Sequence, residues 1–227
     1  MIVYGKQIFF YILEHHKDLI KELYLAKECD KEIFKKIANF GFKIKKLDFK
    51  TAQAYARGGN HQGFLLDIEE YQFKELNSLK KSDFIAILCG ISDVGNIGSI
   101  ARTAYALGVG GIVFIGERLN MEGVIRTSSG AALDLDIALN GDILSVINEL
   151  KQVGFKIFAS ANGGKEIHDF KFEKNKKALI LGSEGLGLSQ KIINKCDECV
   201  GIEMKHDFDS LNVSAAFAIL CDRMINA

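Results

Sequence analysis

The sequence predicts an α/β protein made of two units, a small α/β unit followed by a larger one built on a parallel sheet. From residue 83 onward, short and continuously apolar runs alternate with helix-length segments, which is typical of parallel strands covered by helices on both faces. The first 76 residues instead show the spacing of helices and strands around a Gly-rich polar segment. Residues 77–82 are expected to link the two units.

The N-terminal unit is predicted to contain two helices, at 4–13 and 31–40, and two strands, at 20–25 and 64–68. Residues 31–60 hold eight basic and two acidic side chains. This excess predicts either a phosphate-contacting face or an ordinary solvated surface. The Gly-rich segment 57–63 contains His61, which is a candidate RNA contact in this basic part of the chain.

The C-terminal unit, residues 83–227, is predicted to contain strands at 84–91, 111–116, 155–160, 178–182 and 199–202. Helices are predicted near 98–108, 122–131, 141–153, 188–195 and 211–225. Because ligands of such sheets bind at the carboxyl ends of the strands, the loops after the strands form the candidate site.

The composition disfavours several functions. With 29 basic and 29 acidic residues among 227, the chain has no net charge, so a polyanion must be met by a local patch. No apolar run reaches the roughly 20 residues of a membrane-spanning helix, and the run near the N-terminus lacks a cleavage site. We therefore expect a cytoplasmic protein without membrane contact.

The five cysteines are scattered and odd in number, which disfavours a disulfide framework. Cys196 and Cys199 form a single CxxC pair. Because structural zinc needs four ligands, we interpret this pair as free thiols and expect no metal site.

Two strand-end loops carry amides and an arginine. The loop after the first strand of the C-terminal unit brings Asn96 to the start of a helix, with Arg102 further along it. The last loop brings Ser210 and Asn212 to the start of the terminal helix. Helix capping explains Ser210 but not a second asparagine, because asparagine is a weak helix former.

A third loop, 181–188, is Gly-rich and has Glu184 at its centre. It loosely matches a dinucleotide-binding fingerprint, which leaves a nucleotide-binding metabolic enzyme as one alternative. Two observations disfavour that alternative. The loop comes late in the chain, whereas the fingerprint belongs to the first βα turn, and a carboxylate inside the turn would repel a pyrophosphate.

In this order and spacing, the three loops resemble the motifs of the SpoU branch of the SPOUT superfamily, the RNA ribose 2′-O-methyltransferases. The matching stretches are Asn96-x-Gly98-x-x-x-Arg102, Gly182-Ser-Glu184-Gly-x-Gly187, and Ile202-x-Met204 followed by Ser210-Leu-Asn212-Val-Ser214. The first 76 residues, with Tyr4-Gly-Lys and Asn60-His-Gln-Gly63, resemble the ribosomal-protein-like RNA-binding domain of many members.

The resemblance implies S-adenosyl-L-methionine as methyl donor, a homodimer, and a deep trefoil knot in the C-terminal domain. It implies catalytic roles for Asn96, Arg102, Glu184, Ser210 and Asn212, and cofactor contacts for Gly182, Ile202, Met204 and Leu211. The family assigns proton removal to the arginine that aligns with Arg102, supplied by the partner subunit. Since arginine is almost never neutral, binding of a phosphate and stabilisation of the alkoxide is the alternative role.

The likeness is closest to enzymes that methylate a guanosine ribose in large-subunit rRNA. A tRNA guanosine methyltransferase and a non-catalytic RNA-binding factor of ribosome assembly are the alternatives.

The chain has no proline. Val94 and Glu203 stand where the family usually has proline, and His206 where it commonly has glycine, so we expect looser loops at these positions.

Overall fold

A computed structural model describes residues 1–183, 185–206 and 210–226 of the chain, which fold around two β-sheets. The N-terminal sheet contains β1 (Ile2–Tyr4), β2 (Ile20–Leu25), β3 (Ile44–Lys46) and β4 (Phe64–Ile68), in the spatial order β1-β4-β2-β3. The C-terminal sheet contains β5 (Phe84–Cys89), β6 (Gly111–Ile115), β7 (Ile137–Asn140), β8 (Phe155–Glu166), β9 (Lys176–Leu181) and β10 (Glu198–Gly201).

The N-terminal sheet has helices on both faces. Leu23 and Leu66 are paired across β2 and β4 and face the helices α1 (Lys6–His15) and α2 (Lys31–Ala38). Tyr24 and Leu65, the next pair, face the opposite side and pack against α3 (Phe49–Tyr55). The two sides of this unit therefore carry different helices and different surface residues.

The C-terminal sheet is wholly parallel, in the spatial order β10-β8-β9-β5-β6-β7, which confirms the predicted α/β class. Alternate residues of β5 enter two separate cores. One core lies under α5 (Val94–Ala106), α6 (Met121–Thr127) and α9 (Val213–Asn226). The other lies under α4 (Leu76–Leu79), α7 (Ile143–Gln152) and α8 (Gln190–Ile193).

The predicted strands and helices are present, and five short elements were not predicted: β1, β3, α3, α4 and β7. β3 is an edge strand that exposes Lys45 and Lys46, so its sequence lacks the apolar run of a buried strand. β8 extends to Glu166, beyond the predicted end at residue 160, because its polar second half pairs with β10. The segment 77–82, predicted as a linker, contains most of α4, whose Leu79 is buried under the C-terminal sheet.

The two units contact each other along a seam formed by α1 and β1 on one side and α6 with the turn after it on the other. The Tyr11 hydroxyl donates to Asp134, and the Tyr71 hydroxyl donates to the carbonyl of Leu135 at 2.7 Å. Burial raises the pKa of Tyr71 to about 12. These bonds fix the N-terminal unit against the C-terminal one.

His61 is a structural residue. Its side chain is buried, and its Nδ1 accepts a hydrogen bond from the backbone N–H of Gly63 at 3.0 Å. The ring therefore holds the turn of the Gly-rich segment and leaves no surface for an RNA contact, contrary to its candidacy from the sequence.

No described helix combines the length and the apolar character that a bilayer crossing needs.

Gly98 allows α5 and α6 to approach closely, and replacing it should destabilise the fold. A Cβ at Gly98 would lie 2.0 Å from Thr127 Oγ1, so we expect Gly98→Ala to lower the free energy of unfolding by about 1–3 kcal/mol. Gly141→Ala is the matched control, because a Cβ there meets no atom within 4 Å. Urea denaturation of both variants measures the difference, and equal stabilities would contradict this account of the packing.

Candidate functional site

A cavity of about 570 Å³ lies at the carboxyl ends of β8, β9 and β10. Its walls come from the end of β8, the loop after β9, and the chain that leads from β10 into α9. Five of the residues predicted from the sequence line it together: Gly182, Ile202, Met204, Ser210 and Leu211. The position agrees with the rule that parallel sheets bind ligands at the carboxyl ends of their strands.

The loop after β9 is folded tightly on itself. The backbone N–H of Gly187 donates to the carbonyl of Ser183 at 2.9 Å. A Cβ on Gly182 would lie 2.4 Å from the backbone of Gly187, so only glycine fits at this position. Leu186 at the tip is 92% exposed. Glu184, predicted as a catalytic residue, lies outside the described residues.

Two asparagine side chains join the N-termini of α5 and α9. Asn212 Nδ2 donates to Asn96 Oδ1 at 2.9 Å, and Asn212 Oδ1 accepts from the backbone N–H of Ser214 at 3.0 Å. On the other helix, Asp93 caps α5 by accepting from the N–H of Asn96 at 2.7 Å. Asn212, and not Ser210 as the sequence suggested, therefore caps α9, because it immediately precedes the helix and accepts from its first turn. The same side chain bridges two helices, beside the cavity residues Ser210 and Leu211.

Arg102 is not brought to this cavity. It lies six residues after Asn96 on α5, which places it about 9 Å further along the helix axis and on a different face. Its side chain is exposed, and it is absent from the described residues that line the cavity. Asn96 and Asn212 are likewise absent from this lining, so the described part of the cavity wall contains none of these three predicted site residues.

The chemistry of the cavity wall fits an uncharged nucleoside. Among the described residues that line it, none is charged; the wall combines apolar side chains such as Leu188 and Val213 with backbone groups and the polar side chains of Asn162 and Ser183. A pyrophosphate would have no cation to bind in this set, whereas adenine and ribose need apolar contact and a few hydrogen bonds. The adenosyl group implied by the sequence resemblance fits this wall.

Sequence reasoning missed the contribution of β8. Ser160, Ala161 and Asn162 line the cavity although none was singled out. The signal was available, because the strand-end rule that identified the other loops applies equally to the polar residues that follow the apolar part of β8.

A second depression, of about 930 Å³, adjoins the cavity and shares Asn162, Ile202 and Met204 with it. Its outer wall is charged, with Glu166, His168, Asp169, Glu203 and Lys205. The site therefore changes from an uncharged interior to a charged rim over a short distance.

The structure also describes the turn at His206 and the surroundings of Cys196. Non-glycine residues with positive φ in the described ranges are Arg57, Gln62 and Ser129, so the turn at His206 does not require glycine. Burial raises the pKa of the Cys196 thiol to about 11, so at neutral pH this thiol is protonated and unreactive. No group of three metal-ligating side chains occurs in the described part of the chain.

Comparisons with known proteins agree with this fold. The family model described as the SpoU rRNA Methylase family matches residues 83–222, and the model described as RNA 2′-O ribose methyltransferase substrate binding matches residues 2–74. An uncharacterized tRNA/rRNA methyltransferase of Borreliella burgdorferi is 31% identical, over 84% of this chain and 90% of its own length.

Two solved structures share the fold. The SpoU methyltransferase AviRb from Streptomyces viridochromogenes, in complex with the cofactor AdoMet, superposes with a TM-score of 0.80 at 20% identity, covering 99% of this chain and 89% of that one. The AdoMet-bound rRNA methyltransferase from Sinorhizobium meliloti gives a TM-score of 0.77 at 21% identity, covering 98% and 85%. At these identities the two structures show the fold alone.

Proposed function

The chain belongs to the SpoU rRNA methylase family, and from that premise we propose that it transfers a methyl group from S-adenosyl-L-methionine to the ribose 2′-hydroxyl of a guanosine in large-subunit rRNA. The observation that carries this proposal is the cavity at the strand ends, whose described lining is uncharged, beside the bridge between Asn96 and Asn212. The second family match, over residues 2–74, supports RNA as the substrate.

The methyl donor, when bound, supplies an electrophilic methyl group on a sulfonium. We assign its adenosyl part to the cavity, where backbone groups at Gly182 and beside Ile202 can hydrogen-bond adenine and ribose. Met204 and Leu211 would supply apolar contact. The lack of charge among the described lining residues disfavours ATP or NAD, whose phosphates need cations.

The residues around the cavity mouth would activate and orient the target hydroxyl. A ribose hydroxyl is a poor nucleophile, and a positioned base typically contributes ~10²–10⁴-fold to such a step. Because arginine stays protonated, we assign Arg102 to the target phosphate and the developing alkoxide, with the proton leaving through a phosphate oxygen or water. Asn96 and Asn212 would orient the ribose or Arg102. Glu184 would fix Arg102 or an asparagine, and Ser210 would shape the loop.

The position of Arg102 supports a homodimer whose site takes this residue from the second subunit. Arg102 is exposed on α5 and is not among the described residues that line the cavity of its own chain. The packed helices α5 and α9 also expose Tyr105 and Ile219, at 47% and 38%, which provides apolar surface for a second copy. The trefoil knot and the cytoplasmic location stay predictions.

Large-subunit rRNA is preferred to tRNA because an RNA-binding unit precedes the methyltransferase unit. The Borreliella burgdorferi relative is named as a tRNA/rRNA methyltransferase, so tRNA guanosine is the second candidate. A non-catalytic assembly factor is disfavoured, because a chain without catalysis would not need Asn96, Arg102, Glu184 and Asn212 to be retained together.

Methyl transfer from labelled S-adenosyl-L-methionine tests the reaction and the substrate together. The protein is incubated separately with unmodified rRNA and tRNA, and each RNA is hydrolysed in alkali, which leaves the bond after a 2′-O-methylated ribose intact. We expect label from rRNA in alkali-resistant dinucleotides whose 5′ nucleoside is guanosine. Label in tRNA alone would overturn the substrate choice, and no label in either RNA would contradict the proposed reaction.

Arg102→Ala should abolish methyl transfer and leave donor binding, measured by calorimetry, unchanged. Leu211→Arg should instead abolish donor binding by placing a charge in the cavity. A mixed dimer of the two variants then has one site with an intact cavity and the partner's Arg102, so it should regain activity that neither variant has alone. An inactive mixed dimer would contradict the assignment of Arg102 to the partner's site.

A further inference from the structure

The side of the N-terminal sheet that carries α3 displays exposed aromatic and basic residues together. We call this surface the α3 face and define it by Tyr4, Lys45, Phe49, Lys50 and Tyr55. Phe49, on the first turn of α3, is 69% exposed, more than any other phenylalanine in the described part of the chain. An exposed ring beside a lysine is costly in water but is the usual platform for an unpaired nucleic-acid base.

The basic excess of residues 31–60 is divided between the two sides of the sheet. Lys31, Lys35 and Lys36 lie on α2, together with the exposed Phe34. Lys45 and Lys50 lie on the α3 face, because Lys45 pairs with Tyr24 in β2 and Lys50 belongs to α3. The sequence repeats Phe-Lys on both helices, as Phe34-Lys35 and Phe49-Lys50. The two pairs differ in the side of the sheet on which they lie, which the sequence alone does not give.

The α3 face continues across the seam to the start of α5, next to the cavity. The opposite side of the sheet also contacts the C-terminal unit, through Tyr11 of α1 and Asp134. Tyr4 lies on the α3 face because it pairs with Leu65. The guanidinium of Arg126, on α6 of the C-terminal unit, lies over the Tyr4 ring at 5.2 Å. The next residue, Thr127, donates from its hydroxyl to the carbonyl of Val94 at 2.9 Å, at the start of α5, which carries Asn96.

Cations on this path are available to phosphates. No salt bridge between described residues involves Lys50 or Arg126, and both are exposed. The nearby carboxylates already have partners: Glu22 accepts from Lys45, and Asp48 caps α3 by accepting from Thr51 N at 3.0 Å. Lys50 and Arg126 are therefore available to phosphates, whereas the charge of Lys45 is matched by Glu22.

We propose that the α3 face binds an unpaired stretch of the substrate RNA, which continues past Arg126 to the catalytic cavity. Phe49 stacks on a base, and Lys50 and Arg126 hold phosphates. The strand is unpaired because a base inside a duplex has no open face for an aromatic ring. This inference rests on the proposed methylation of RNA, and it names the surface and residues that deliver the substrate.

Binding of a short fluorescein-labelled single-stranded RNA, followed by anisotropy over a salt series, tests the two roles separately. Phe49→Ala should weaken binding by about fivefold or more through loss of stacking, with an unchanged salt slope. Lys50→Ala should lower the slope of log Kd against log salt by about 0.7, the value for one phosphate contact on a single strand. Phe34→Ala and Lys35→Ala are the matched controls and should leave affinity and slope unchanged.

Two further variants separate stacking from packing. Phe49→Tyr keeps the aromatic face and should retain the affinity of the unmodified protein, whereas Phe49→Leu keeps apolar volume and should lose it. Thermal denaturation checks that all variants are folded. With the RNA duplex of the same sequence, Phe49→Ala should bind as the unmodified protein does.

The outcomes distinguish this inference from the proposed function. If the unmodified protein methylates rRNA but the Phe49 and Lys50 variants match it in affinity and in KM for RNA, the α3 face is not the RNA surface. Loss of affinity in the Phe34 and Lys35 variants would assign RNA to the α2 side and overturn the inference. Absence of methyl transfer by the unmodified protein contradicts the proposed function alone, since RNA binding is measured independently.

Discussion

The hydrogen bond between the Asn212 and Asn96 side chains joins two helix N-termini that lie 116 residues apart in the chain. Asn212 also caps α9, and Asp93 caps α5. The bond therefore connects the N-termini of two helices, each of which is already held by its own capping hydrogen bond. The cavity lies beside this connection, because Ser210 and Leu211 immediately precede Asn212. A shift of either helix would open the cavity wall and separate the amides from it.

Charged side chains are unevenly distributed around this hydrogen bond. The described wall of the cavity is uncharged, whereas its rim and the α3 face carry charged side chains. A neutral chain can thus offer an apolar pocket to a nucleoside and exposed cations to RNA, because the two ligands meet different parts of it. The seam between the units, held by Tyr11 and Tyr71, keeps these two parts in one arrangement.

Five strands of the C-terminal sheet were predictable because they appear in the sequence as apolar runs, whereas the four-residue edge strand β7 was missed. β3 was not predictable, since an edge strand rich in lysine has no such run. The cavity residues Gly182, Ile202, Met204 and Leu211 were named from motif resemblance, and only the folded chain brings them to one wall. The position of Arg102 outside that wall also needed the structure. So did the division of the basic residues between two faces, because the sequence gives the number of charges but not the side of the sheet on which each one lies.

A double-mutant cycle on Asn96 and Asn212 tests most directly whether the site depends on their hydrogen bond. The free energy of unfolding is measured for Asn96→Ala, Asn212→Ala and the double variant, together with the rate of methyl transfer for each. We predict a coupling energy of about 0.5–1.5 kcal/mol and loss of transfer in both single variants. Strictly additive losses of stability, with transfer retained in either single variant, would contradict the account.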